Sequence, residues 1–270
     1  GMSVSALAFI KGYLQYKEDS RIAGVIFNRM SEMLYREIAP MAEKELGISC
    51  VGFVPELKEC HLESRHLGLV MPDEVENLQE QVNLLAETLQ KTLDFEKILA
   101  IAEGAEELSG KMPEALRKVT ESEAAAKVRA AKPILAVAKD EAFCFLYEDN
   151  LDYLRQSGCE LTYFSPLKDS ILPENIDGLL LYGGYPELHA EELSENISMR
   201  KDIAGRIQSG LPCIAECGGF LYLHEYLETP DKEKYPMAGI IRGTGYNAGK
   251  LQRFGYMRVK AVKNTMLADK

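Results

Sequence analysis

Apolar residues recur at helical spacing from the start of the chain: Val4, Leu7, Ile10 and Leu14 predict a helix over 3–16. A short apolar run at 22–27, ending in Asn28-Arg29, suits a buried parallel strand. Ser31 then caps a helix that runs to about Leu46 and stops at Gly47. Residues 49–54 read as a second strand, closed by Pro55. After Pro72, Asp73 opens a long amphipathic helix with Val75, Leu78, Val82, Leu85 and Leu89 on one stripe. Strand and helix alternate over this region, as in α/β proteins. Two strands are too few for a parallel sheet covered on both faces, so further sheet is expected upstream of residue 1.

The pattern changes over 103–131, which is rich in Ala, Glu and Lys and has no large apolar stripe. It predicts an exposed helical linker with a boundary near Lys132-Pro133. Beyond it the alternation restarts. Strands are expected at 134–138, 160–164, 178–182 and 211–216, and helices at 150–157, 199–209 and 218–226. The expected class is α/β with two doubly wound lobes, at 1–102 and 132–270, whose ligands sit at the carboxyl ends of the strands.

Composition narrows the function classes. At 46% apolar and 27% charged the chain has the make-up of a globular protein. Its net charge of -11, with no Lys/Arg stripe, argues against nucleic acid or an anionic membrane surface as a partner. No apolar run approaches the ~20 residues needed to span a bilayer. The six cysteines are scattered without a CxxC pair, which suits reduced thiols in the cytoplasm better than disulfides or a metal site.

The strongest chemical signal is Ala215-Glu-Cys217-Gly-Gly219. An apolar strand runs into one cysteine and then directly into a helix, which is the layout of a nucleophile elbow. Gly218 and Gly219 let the chain turn, and the free N–H groups at the helix start favour a thiolate. A structural cysteine is the plain alternative, and it suits Cys213 inside the strand. A second apolar strand ends at Gly183-Gly184, where bare backbone N–H groups could serve an oxyanion. A plain turn before Pro186 is the other reading of that pair.

These segments, in order and spacing, resemble the cobyrinate a,c-diamide synthase family of cobalamin-biosynthesis glutamine amidotransferases. The match runs through Gly24-Val-Ile-Phe-Asn-Arg29, Arg65-His-Leu-Gly-Leu-Val70, Ala136–Tyr147, Tyr163–Asp169, Tyr182–Glu187 and Ala215–Gly219. The resemblance implies a partial P-loop-type ATP-binding lobe followed by a flavodoxin-like class I glutaminase lobe. It implies that Cys217 attacks glutamine, that Gly183 and Gly184 stabilise the oxyanion, and that ATP with Mg²⁺ activates the a and c carboxylates of a corrinoid. Asn28 matches an adenine-reading asparagine, against the reading of a strand-end turn residue. Arg65 and His66 are candidates for a substrate carboxylate, with solvated surface as the equal alternative. Partners implied are glutamine and a corrinoid or other tetrapyrrole carboxylate, and a homodimer stays open.

Two family features have no match. No GxxxxGK[ST] loop occurs, and Gly104-Ala-Glu-Glu-Leu-Ser-Gly-Lys-Met112 has the wrong spacing and two repelling glutamates. The family's histidine base lies beyond Lys270, and none of His61, His66, His189 and His224 matches it. The chain is therefore read as truncated at both ends. A non-catalytic binding or assembly domain and a cysteine hydrolase on the same fold remain as alternatives.

Overall fold

In a computed structural model, residues 3–60, 62, 64, 65, 68, 69, 72, 75–107, 110, 114–249, 255–258, 260–262 and 264 are described. Contacts divide the chain into two compact units, Gly1–Gly110 and Lys111–Lys270. The division falls inside the 103–131 segment.

The first unit contains α1 (Ser5–Tyr16), β1 (Gly24–Asn28), α2 (Glu32–Leu46), β2 (Ser49–Val54), β3 (Ser64–Arg65), β4 (Gly68–Leu69), α3 (Leu78–Thr92) and α4 (Phe95–Glu103). The ends of α2 are set by local chemistry. Ser31 Oγ accepts from Leu34 N–H, and Gly47 takes a left-handed conformation (φ 66°) with its N–H on Glu43 O. β1 and β2 pair in parallel, joined by the α2 crossover. Ala6, Leu7, Phe27, Ile38, Ala42 and Phe53 form the core between helices and sheet. One expectation needs correction. The helix expected from Asp73 starts at Leu78 behind Asn77, which is left-handed at φ 57°, and it buries none of its side chains. The chain also breaks at Leu93-Asp94, where Asp94 caps a separate α4 through Lys97 N–H. That break is pinned by Gly52, whose absent Cβ would lie 2.3 Å from Thr92 O, and by Asp94 N–H on Val51 O.

The second unit contains α5 (Glu114–Thr120), α6 (Glu123–Ala131), β5 (Ile134–Ala138), α7 (Glu148–Gln156), β6 (Glu160–Phe164), β7 (Gly178–Leu181), a 3₁₀ turn (Pro186–Leu188), α8 (Ala190–Glu195), α9 (Ile197–Gln208), β8 (Cys213–Ala215), α10 (Gly218–Tyr222), β9 (His224–Glu228), β10 (Lys234–Pro236) and β11 (Ile241–Gly245). The order β6-β5-β7-β8 is parallel throughout, which is the flavodoxin-like order. Alternate residues serve opposite faces. Ala136, Ala138, Leu179 and Leu181 join Leu193, Met199, Ile203 and Tyr222 on one side. Val137 and Leu180 meet Leu151 of α7 on the other. Each fully buried large aliphatic contributes roughly 1.5–3 kcal/mol. Met199 and Ile203, both fully buried, therefore hold α9 to the sheet.

The helix expected over 218–226 ends at Tyr222, and His224 begins a strand. Backbone N–H groups of a distant segment decide this. Ala238 N–H takes Tyr222 O, Ile240 and Ile241 take Leu223 O, Gly239 takes His224 O, and Met237 takes Glu225 O. Those carbonyls are then unavailable to a continuing helix. β9 pairs instead with β10 and β11 in a small separate sheet. Among the described residues, no helix is long and apolar enough to cross a membrane.

Candidate active site

β8 is the half-buried last strand in the order β6-β5-β7-β8, and two residues beyond its end the chain reaches Cys217. This residue adopts φ 48° and ψ -112°, a conformation that an L-residue enters only under strain of about 1–3 kcal/mol. Its side chain is exposed. The strain is held in place by the two glycines that follow. A Cβ on Gly219 would lie 2.1 Å from Leu181 O, and one on Gly218 would lie 2.9 Å from Pro186 Cδ and 3.0 Å from Gly184 N. The Gly219 N–H is shared by Tyr182 O and Glu216 O, both at 2.9 Å. The elbow is thus pressed against the end of β7, and only glycine fits that approach.

Gly183 and Gly184 leave β7 directly beside the elbow. A Cβ on Gly183 would come within 3.4 Å of Cys217 Cβ, and one on Gly184 within 2.1 Å of Ala142 O. On either side of Gly184 the chain is tied to the loop after β5. Phe145 N–H donates to Gly183 O at 3.1 Å, and Tyr185 N–H donates to Ala142 O at 3.0 Å. The Phe145 and Tyr185 rings meet edge to face at 5.0 Å. Among the described residues, neither the Gly184 nor the Gly218 N–H has an acceptor in the protein. Two unclaimed amide donors therefore stand near an exposed thiol. Gly218 was expected as a turn residue of the elbow and not as an oxyanion donor, although its place directly after the cysteine is a signal for such a donor. α10 is five residues long, so its influence on the thiol is that of these first-turn N–H groups rather than of a long helix.

Two other thiols, Cys213 and Cys50, are buried or half-buried. Burial raises the Cys213 pKa to about 11, and burial together with the Glu43 carboxylate raises Cys50 to about 11. At pH 8 a thiol of that pKa is about one part in a thousand thiolate. A short disulfide-exchange reagent pulse on the native protein at pH 8 should mark Cys217 and leave Cys213 and Cys50 unmarked. Labelling of Cys213 as fast as Cys217 would contradict this ranking.

Among the described residues, neither His189 nor His224 is hydrogen-bonded to the thiol. His189 Nδ1 lies 2.8 Å from Glu192 Oε2 at the start of α8. His224, expected two turns along a helix from Cys217, instead opens β9. Its Nδ1–H points to Phe220 O at 2.9 Å, and its ring meets that of Phe220 at 4.8 Å. His61 and His66 lie outside the described residues.

In the first unit, Asn28 ends β1 and lines an open cavity of about 1280 Å³ at the carboxyl ends of β1 and β2, with Arg29, Ser31, Pro55 and Glu56. Arg29 is left-handed (φ 54°) and is paired with Glu56 at 2.7 Å. The Arg65 backbone sits in β3, which pairs antiparallel with β4. Its side chain, like His66, lies outside the described residues. Among the described residues no cluster of acidic, His and Cys side chains could hold a metal. Gly104 of the near-miss phosphate motif caps the end of α4, and residues 108, 109 and 111–113 of that region lie outside the described residues.

Residues 134–267 match the CobB/CobQ-like glutamine amidotransferase domain. Cobyrinate a,c-diamide synthase of Dehalococcoides mccartyi strain 195 is 38% identical over 272 residues, spanning 100% of this chain and 57% of the relative. The proteins of the same name from Caldanaerobacter subterraneus subsp. tengcongensis and Listeria innocua are each 36% identical, again over 100% of this chain and 57% of their own length. The chain thus spans a little over half the length of these relatives. The second unit is thus similar to a CobB/CobQ-like glutamine amidotransferase domain, and the chain along its whole length is similar to the cobyrinate a,c-diamide synthases.

Proposed function

We propose that Cys217 is the nucleophile of a glutamine-hydrolysing site, and that the whole protein uses the ammonia released to amidate the a and c carboxylates of cobyrinate or a related tetrapyrrole. The observation that carries this reading is the strained, exposed Cys217 with the unclaimed Gly184 and Gly218 N–H groups beside it. In the proposed step Cys217 Sγ bonds to the side-chain amide carbon of glutamine. The carbonyl electrons move to oxygen, and the oxyanion accepts hydrogen bonds from the two amides. The proton lost by the thiol passes to the amide nitrogen, and collapse breaks the C–N bond, expelling ammonia and forming a glutamyl thioester. Water then cleaves the thioester to glutamate and restores the thiol. Gly183 contributes by lacking a side chain where substrate must reach the sulfur. The base is not assigned to a residue of this chain.

For the ligase half, Asn28 is the residue proposed to face adenine, and Arg65 with His66 to face a substrate carboxylate. The described residues add no phosphate cradle and no metal-ligand cluster to Asn28, so they do not form a complete site for ATP and Mg²⁺, and no step is routed through those groups.

A glutamine-shaped diazoketone, which alkylates a thiol only after binding as glutamine does, tests the first half. Peptide mass mapping should find one adduct, on the peptide carrying Cys217, and excess glutamine should prevent it. Adducts on Cys213, or labelling that glutamine does not slow, would remove Cys217 from this role.

A further inference from the structure

Asp140 lies far from the elbow in sequence, in the loop that follows β5, yet its carboxylate joins two loops at the same sheet edge. One oxygen accepts from Ala142 N–H at 3.0 Å and Phe143 N–H at 3.1 Å. The other accepts from Ser165 Oγ–H at 2.8 Å and Leu167 N–H at 3.0 Å. All of these donors belong to the loops after β5 and β6. A carboxylate with its acceptor sites filled by backbone and hydroxyl donors is a rigid anchor, because moving it breaks several charge-assisted bonds together. The loop it anchors is the one that grips the glycine pair. Ala142 supplies the carbonyl that takes Tyr185 N–H, and Phe145 supplies the N–H that takes Gly183 O. Ala142 and Phe143 are fully buried, so this stretch has little freedom to drift.

We propose that Asp140 is a positioning residue for glutamine hydrolysis: it fixes the 142–145 loop, and through it the backbone of Gly183-Gly184, so that the Gly184 N–H stays beside the Cys217–Gly218 turn. This rests on the assignment of Cys217 and the amide donors made above. Asp140 touches neither thiol nor substrate. It acts by keeping one donor where a developing oxyanion needs it. Displacement of such a group by about 1 Å costs on the order of 10²-fold in rate. The ground-state affinity for glutamine depends less on that donor, so the loss belongs to kcat.

The test compares Asp140→Ala, Asp140→Glu and, as a control, Glu141→Gln, in the protein as the gene encodes it. Glu141 is the exposed neighbour that pairs with Lys168. Glutaminase kcat and KM are measured beside the rate at which iodoacetamide, which needs no oxyanion donor, alkylates Cys217. Asp140→Ala should lower kcat about 10²-fold with KM within about threefold, and leave alkylation unchanged. Asp140→Glu keeps the charge but shifts the carboxylate by one methylene, and it should lower kcat about tenfold with the same unchanged alkylation. Glu141→Gln should stay within about twofold. If Asp140→Ala does not fold, Asp140→Glu decides. A folded variant with kcat within about twofold of the parent overturns the proposal, as does a loss matched by slower alkylation, which would mean general damage to the elbow. Cys217→Ala in the same assay separates the two readings: if it leaves glutaminase unchanged, the assignment of the nucleophile fails, whatever Asp140 does.

Discussion

Replacing Cys217 with Ala should abolish glutamine-driven product formation, by about 10⁴-fold or more, while leaving ammonia-driven formation near its parent rate. The geometry explains why the two should separate. The thiol sits at the edge of the second unit's own sheet, and its proposed donors, Gly184 and Gly218, belong to that unit as well. Among the described residues, those proposed for the thioester cycle all belong to the second unit, whereas Asn28 and the 1280 Å³ cavity belong to the first. Ammonia supplied at high concentration therefore replaces only the missing half-reaction. Cys213→Ala is the matched control. That thiol is half-buried among apolar neighbours and held in the neutral form, so its loss should cost about 1 kcal/mol of packing and leave both rates intact. The measurement is product formation with glutamine and with ammonium salt, side by side, for both variants. An unchanged glutamine rate in Cys217→Ala would exclude the elbow thiol. Loss of the ammonia rate in a folded variant would show that the halves are not independent.

Gly219→Ala should be the most destabilising single-methyl substitution in the second unit. Its new carbon would meet Leu181 O at 2.1 Å, Leu181 C at 2.5 Å and Leu181 Cβ at 2.6 Å. Leu181 is fully buried in β7, paired with Ala215 of β8, in a strand that lies between β5 and β8, so neither it nor α10 can yield without loss. We expect a loss of about 3 kcal/mol or more, with glutaminase lost alongside because Cys217 moves with the helix. Gly205 is the contrast. It lies within α9 with nothing within 4 Å of a Cβ, so Gly205→Ala should stabilise by about 0.5–1 kcal/mol. Urea unfolding of both variants gives the comparison. Equal stabilities would mean that β7 and α10 do not approach as closely as described.

What could be read from the chain depended on whether structure was decided locally. The strands at 49–54, 134–138 and 160–164 coincide with their apolar runs, because Gly, Pro or a charged residue bounds each run. α2 coincides as well, since Ser31 and Gly47 carry both its ends. The 218–226 stretch did not resolve. Phe220, Tyr222, Leu223 and Leu227 fit a helical and an alternating pattern alike, and the choice fell to backbone donors at 237–241. Likewise the stripe of α3 gave no warning that Asn77 would delay its start. At the site, Cys217 and its glycines were legible as a strand–Cys–Gly-Gly unit. The grip of the 142–145 loop on Gly183-Gly184 was not, because it is made by main-chain groups that every residue possesses. Only the missing Cβ atoms record it, and a glycine alone does not say what lies against it.

That main-chain construction has a further consequence for acidity. Peptide N–H groups do not ionise in the range where enzymes work, and Gly184 and Gly218 carry no side chain that could. The proposed donor pair beside Cys217 thus has the same charge state at pH 5 and at pH 9. Any bend in the rate of thioester formation between those limits belongs to the sulfur, to the group that takes its proton, or to glutamine's own ammonium and carboxylate. A pH profile of the proposed site is therefore a titration of its sulfur, of the group that takes the sulfur's proton and of glutamine itself, with the two backbone donors as a constant background.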